Sequence, residues 1–139
     1  MIFRQLFESN SSTYTYLLGD EKSGQAVLID PVFETARRDQ ALLAELGLKL
    51  TYTLKTHAHA DHVTAAWLLR KRTASRIAVS AHAGTEGADV YGRGPQLIPW
   101  SATTARRATN PNFRINGRTP HEKLRLLGAG NLYLQLCRV

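Results

Sequence analysis

From Ala26 to Ser80 the apolar residues change period repeatedly, and few folds accommodate such an alternation. Ala26-Val27-Leu28-Ile29 is a short apolar run ended by Asp30-Pro31, as in a strand. Ala36 to Leu46 places Leu42, Leu43 and Leu46 at helical spacing, with Thr35 as the expected N-cap and Gly47 as the stop. Leu48, Leu50, Tyr52 and Leu54 then alternate with Lys49, Thr51, Thr53 and Lys55, the period of a strand with one buried face. Val63 to Leu69 reads as a second helix closed by Arg70-Lys71-Arg72, where the helix dipole favours cations, and Arg76 to Ser80 as a further strand. Upstream, Ile2 to Glu8 and Ser11 to Leu18 read as strands, and the turn from Gly19 to Gly24 joins the second of them to Ala26-Val27-Leu28-Ile29 in a hairpin. Strands and helices in this order predict an α/β domain, an α+β sandwich. Beyond residue 85 glycines and prolines interrupt the pattern, and only Pro120 to Leu127 reads as helical.

A chain of 139 residues has room for one domain with a modest core. It contains no run of about 18 apolar residues, and Met1-Ile2-Phe3-Arg4-Gln5 has no signal-peptide character, so a cytoplasmic protein without a membrane partner is expected. The single cysteine, Cys137, excludes an intrachain disulfide and a thiolate metal cluster. The net charge of +7 is unevenly placed: residues 1–90 hold 10 Lys and Arg against 10 Asp and Glu, and residues 91–139 hold 8 against Glu122 alone. The expected division is therefore residues 1–90 and a basic tail, 91–139. Such a tail would bind nucleic acid through counterion release, but its arginines are scattered and Phe113 and Tyr133 lie far apart, so nucleic acid is not the expected partner.

The chemistry is concentrated in Thr56-His57-Ala58-His59-Ala60-Asp61-His62, directly after the alternating strand. Imidazole nitrogen and carboxylate oxygen suit Zn, Fe and Mn, and a strand end points alternate residues such as His57 and His59 into one cavity. Asp61 and His62 are expected to open the next helix, where Asp61 could otherwise serve only as an N-cap. A lone histidine is most often a surface residue; four ligands at this spacing argue for a site that holds one or two metal ions. The lack of cysteines excludes a zinc finger, and the Glu-bearing motif of helical zinc proteases is absent. His82 reads as a surface residue.

His-x-His-x-Asp-His after a strand resembles the signature of the metallo-β-lactamase superfamily, and Thr56 to His62 with Val63-Thr64-Ala65 is similar to its persulfide dioxygenase branch. Ala26 to Val32, Glu34-Thr35-Ala36, Arg38-Asp39 and Glu45 to Leu48 extend the likeness, which runs over residues 1–90. The resemblance implies the N-terminal half of an αββα fold and a mononuclear Fe(II) centre, held by two histidines and one aspartate, that oxidises glutathione persulfide with O2 to sulfite and glutathione. His57 matches its first ligand. His59, Asp61 and His62 match positions that bind metal in dinuclear zinc hydrolases of glutathione thioesters and orient ligands in the dioxygenases.

In the family, the other two iron ligands come from a Thr-Pro-Gly-His-Thr segment and from a Gly-Asp after a later strand. Neither occurs after His62; Thr119-Pro120-His121 lacks the glycine, and His121 is not expected to be a ligand. Arg107 to Phe113, Gly117-Arg118-Thr119 and Gly130-Asn131-Leu132 resemble the family's C-terminal region, as though the front half were joined to the end with the central layer deleted. The resemblance thus implies an incomplete metal site, weak or no activity, and exposed sheet surface favouring a homodimer. The alternatives are a zinc-dependent hydroxyacylglutathione hydrolase-like thioesterase and a non-enzymatic basic protein.

Overall fold

The computed structural model describes residues 1–81 and 83–92, together with strands at 96–99, 124–127 and 131–134. A six-stranded mixed sheet carries the first part: β1 (Ile2–Glu8), β2 (Thr13–Asp20), β3 (Gln25–Ile29), β4 (Lys49–Lys55), β5 (Arg76–Ser80) and β6 (Val90–Gly92), in that spatial order. β1, β2 and β3 pair antiparallel because short turns join them, whereas β3 to β6 run parallel. Parallel neighbours need a crossover, and α1 (Ala36–Glu45) and α2 (Ala66–Thr73) supply the first two. In the β2–β3 turn Gly24 takes φ 65°, and its N–H donates to the Asp20 carbonyl at 2.8 Å.

Both helices lie on one face. Leu17, Ala26, Leu28, Leu48 and Leu50 pack there with Ala36 and Leu43 of α1 and with Ala65 and Leu69 at α2. The opposite face buries Tyr16, Leu18, Val27, Ile29, Tyr52, Leu54 and Ala78. The strand period over 48–55 therefore does not describe one buried face. Ala26 pairs with Leu50 but Val27 with Tyr52, so Thr51 is an extra residue, its hydroxyl donating to the Ala26 carbonyl at 2.9 Å. This bulge turns Leu48 and Leu50 toward the helices and Tyr52 and Leu54 to the other side.

α1 ends as expected. Gly47 takes φ 64°, its N–H donates to the Ala44 carbonyl and that of Leu48 to Leu43, which satisfies two terminal carbonyls. A Cβ at Gly47 would meet nothing within 4 Å, so Gly47→Ala should cost only the left-handed backbone, about 1 kcal/mol, read as a lower urea midpoint. Thr35 occupies the N-cap position, but its hydroxyl donates backward to the Val32 carbonyl at 3.3 Å and caps no helical N–H.

Asp61 and His62 do not open α2, which begins at Ala66. Residues 63–65 are instead tied to the β3–α1 connection: Phe33 N–H donates to the Val63 carbonyl at 2.9 Å and Ala65 N–H to the Pro31 carbonyl at 2.8 Å. The basic Arg70, Lys71 and Arg72 do stand in the last turn of α2.

A separate three-stranded antiparallel sheet comprises β7 (Gln96–Pro99), β9 (Asn131–Leu134) and β8 (Leu124–Leu127), in that order. The helix expected over Pro120 to Leu127 is thus overturned at 124–127. Leu124 to Leu127 pair residue for residue with Leu134 to Asn131. His82, Arg107 to Phe113, Gly117 to His121 and Cys137 lie outside the described residues.

Candidate metal centre

The candidate ligands occupy the loop from the end of β4 to Ala65, and Asp30 braces its entrance. β3 ends beside the end of β4, so Asp30 N–H donates to the Leu54 carbonyl at 2.8 Å, while Thr15 donates its hydroxyl to the Asp30 carbonyl at 3.0 Å. Held at φ 48°, Asp30 accepts Thr56 N–H at 2.8 Å on Oδ1 and the Thr56 hydroxyl at 2.6 Å on Oδ2. Aspartate tolerates the left-handed region better than most residues because its short polar side chain bonds locally. Sequence reasoning missed Asp30, because its proximity to Thr56 arises from strand pairing.

The structure brings His57, His59, Asp61 and His62 together. The rings of His57 and His59 lie 4.1 Å apart between centroids, and those of His59 and His62 4.2 Å. His57 Nδ1 contacts the Thr56 hydroxyl at 2.8 Å. His59 Nδ1 lies 3.8 Å from Asp61 Oδ1, and its Nε2 lies 3.1 Å from Asp30 Oδ1. That second separation suits a hydrogen bond although the angle does not, and Nε2 has no other partner among the described residues. A small ring rotation makes it a carboxylate–histidine contact and leaves Nδ1 free for a cation.

His62 Nδ1 lies 3.2 Å from Asp61 Oδ2, and the Thr13 hydroxyl reaches both, at 3.3 Å and 3.2 Å. The hydrogen bond from His62 is the largest influence holding the Asp61 carboxyl below its usual range. Nearby, Glu8 accepts the Ser11 hydroxyl at 2.6 Å and the N–H groups of Asn10 and Ser11 at 2.8 Å each, and these bonds hold its carboxyl low as well. His62 Nε2 is buried and has no hydrogen-bond partner among the described residues.

Two groups offer ligand atoms within 4.8 Å of one another: Asp30, His57 and His59, and His59, Asp61 and His62. Atoms bound to one ion at about 2.1 Å lie at most about 4.2 Å apart, so either group closes on a cation with small shifts. The orphaned His62 Nε2 and the nitrogen-rich donor set fit a borderline or transition-metal ion better than a hard cation of the calcium type.

Known proteins are similar to this chain in sequence and in fold. A bovine (Bos taurus) mitochondrial persulfide dioxygenase, ETHE1, is 61% identical over 70 residues, 50% of this chain and 28% of that protein. A probable metallo-hydrolase of Burkholderia pseudomallei is 38% identical over 104 residues, 67% of this chain and 35% of its own length. The crystal structure of ETHE1 from Myxococcus xanthus superposes with a TM-score of 0.68 and 53% identity, over 70% of this chain and 43% of that one. The chain therefore spans less than half the length of each of these relatives. The family model of the metallo-β-lactamase superfamily matches residues 10–125, and with the strand-end histidine cluster in place this chain belongs to that superfamily.

Proposed function

We propose that the chain binds a divalent metal ion through His57, His59, Asp61 and His62, in a site of the persulfide dioxygenase kind whose ligand set is incomplete. The observation that carries this reading is the buried Nε2 of His62, without a partner among the described residues, inside a cluster of three imidazoles and two carboxylates. Burying such a nitrogen unpaired costs on the order of 1–3 kcal/mol, which a cation would offset. Fe(II) is the preferred metal on the dioxygenase likeness, with Zn(II) as the alternative.

The substrate class is a glutathione persulfide, which with dioxygen and water gives glutathione, sulfite and two protons. When bound, Fe(II) would supply open coordination positions for dioxygen and the sulfur. His57 would be a ligand, with Thr56 holding its Nδ1; His59 would be turned by Asp30, and Asp61 would keep Oδ1 toward the site. Neither a Thr-Pro-Gly-His-Thr segment nor a later Gly-Asp occurs after His62, so binding should be loose and turnover weak or absent. Residues 91–139 form a separate basic part in this reading. No described helix is long and apolar enough to cross a membrane. A cytoplasmic location and self-association belong to the same proposal; cell fractionation and sedimentation velocity test them.

A second reading rests on the group of His59, Asp61 and His62, which could hold a second zinc and favour thioester hydrolysis, and it draws on the likeness to the metallo-hydrolase. Metal analysis separates the two. The purified protein, beside His57→Ala and His59→Ala, is loaded anaerobically with iron and then with zinc. We expect substoichiometric metal, readily removed by chelator and lower again in both variants. Paired zinc would favour the hydrolase. Equal metal in wild type and variants would overturn the site, and near-stoichiometric iron or sulfite production above the His57→Ala control would overturn its incompleteness.

A further inference from the structure

Thr13 opens β2, 48 residues before Asp61, yet its hydroxyl oxygen lies 3.2 Å from Asp61 Oδ2, 3.3 Å from His62 Nδ1 and 3.3 Å from the Ser11 carbonyl oxygen. His62 Nδ1 and Asp61 Oδ2 are themselves 3.2 Å apart. A proton count decides which His62 nitrogen carries hydrogen. Carbonyl and ionised carboxylate oxygens only accept, and a hydroxyl brings one proton. With a lone pair on Nδ1, the ring would face a carboxylate oxygen with no proton between them, and three acceptors would compete for the Thr13 proton. With the proton on Nδ1 both contacts of the ring nitrogen are served, since its N–H donates to Asp61 Oδ2 and to the Thr13 oxygen, and the one hydroxyl proton is left for Asp61 or for Ser11.

The lone pair then falls on Nε2, the nitrogen left buried and without a partner among the described residues, in a side chain only 3% exposed. A metal ligand must present a lone pair, and the hydrogen bond on the far nitrogen selects which one does so. The hydroxyl is itself held from behind, since Glu8 fixes the turn at Asn10 and Ser11, with Ser12 alone between that turn and Thr13.

We propose that Thr13 is a positioning residue: with Asp61 it fixes the Nδ1–H tautomer of His62 and so presents Nε2 to the metal. The proposal rests on the metal-site reading above, but it can be read without metal. Long-range proton–nitrogen NMR of the metal-free chain, at a pH where the ring is neutral, reports the tautomer directly. Wild type should hold His62 in the Nδ1–H form. Thr13→Val, which keeps the shape and β propensity of the side chain, should give a mixture of tautomers and bind zinc about 10- to 100-fold more weakly. Thr13→Ser should restore both. An Nε2–H ring in wild type, or a Thr13→Val protein with unchanged tautomer and unchanged zinc affinity, would overturn the proposal. A wild type that holds the Nδ1–H form but takes up no zinc would support the role of Thr13 and overturn the metal reading.

Discussion

Asp30→Ala should lower the unfolding free energy by about 3 kcal/mol, a fall of about 10 °C in melting temperature for a domain of this size. Two costs combine. The carboxylate accepts both the N–H and the hydroxyl of Thr56, and removing it strands those donors at the entrance of the histidine loop, worth about 1–3 kcal/mol. Alanine must also adopt φ 48°, adding about 1 kcal/mol that aspartate largely escapes. The two costs separate by substitution. Asp30→Asn keeps an acceptor for Thr56 N–H and tolerates the left-handed backbone, so it should be the mildest. Asp30→Gly removes the backbone cost and leaves the donors stranded, so it should fall between asparagine and alanine. Metal affinity should change in the same order, since Asp30 also lies 3.1 Å from His59. Equal stability of the asparagine and alanine variants, measured by thermal and urea unfolding, would rule out the bracing role.

Asp30 also marks the limit of what the sequence discloses. His57, His59, Asp61 and His62 are legible because the ligands are neighbours, and a strand leading into His-x-His-x-Asp-His carries its chemistry in local spacing. Asp30 reads only as the end of a strand; parallel pairing of β3 with β4 brings it to Thr56. Thr13 is invisible for the same reason, since antiparallel pairing through the hairpin places the start of β2 beside a loop 48 residues on. The alternation at Leu48 to Leu54 identifies a strand correctly, but one bulge at Thr51 divides its leucines and tyrosine between two faces, which no period can reveal. The start of α2 shifts because residues 63–65 find partners at 31–33, a tertiary preference that outweighs their apolar pattern. Beyond Gly92, Leu124 to Leu127 are short enough for either period, and pairing with β9 decides for strand.

The ion pair of buried Asp39 with half-exposed Arg38 in α1 leads to an expectation that turns on pH. Asp39 is fully buried, and the Arg38 guanidinium meets its Oδ1 at 2.9 Å while also donating to the Phe7 carbonyl at 2.8 Å. Burial is the largest influence on Asp39 and raises its carboxyl above the usual range, with Arg38 pulling the other way. Arg38→Met removes the pull and leaves a buried carboxylate with no charge partner. Such losses cost about 3–5 kcal/mol in dry interiors; Arg38 is 39% exposed, so solvent screening reduces the expected cost to about 2 kcal/mol at neutral pH. Because the folded chain holds the Asp39 proton more tightly than the unfolded chain, it binds more protons between the ordinary aspartate value and the raised one. Stability from this group is therefore fullest below the ordinary value and declines as pH rises through the raised one. Arg38→Met widens that window, so its deficit should be small near the acid end, where Asp39 is protonated in both proteins, and should grow toward neutrality. Urea unfolding of both proteins across that range checks the sign: a deficit that is constant, or larger in acid, would mean that Arg38 acts through its bond to Phe7 and its packing instead of through the charge on Asp39.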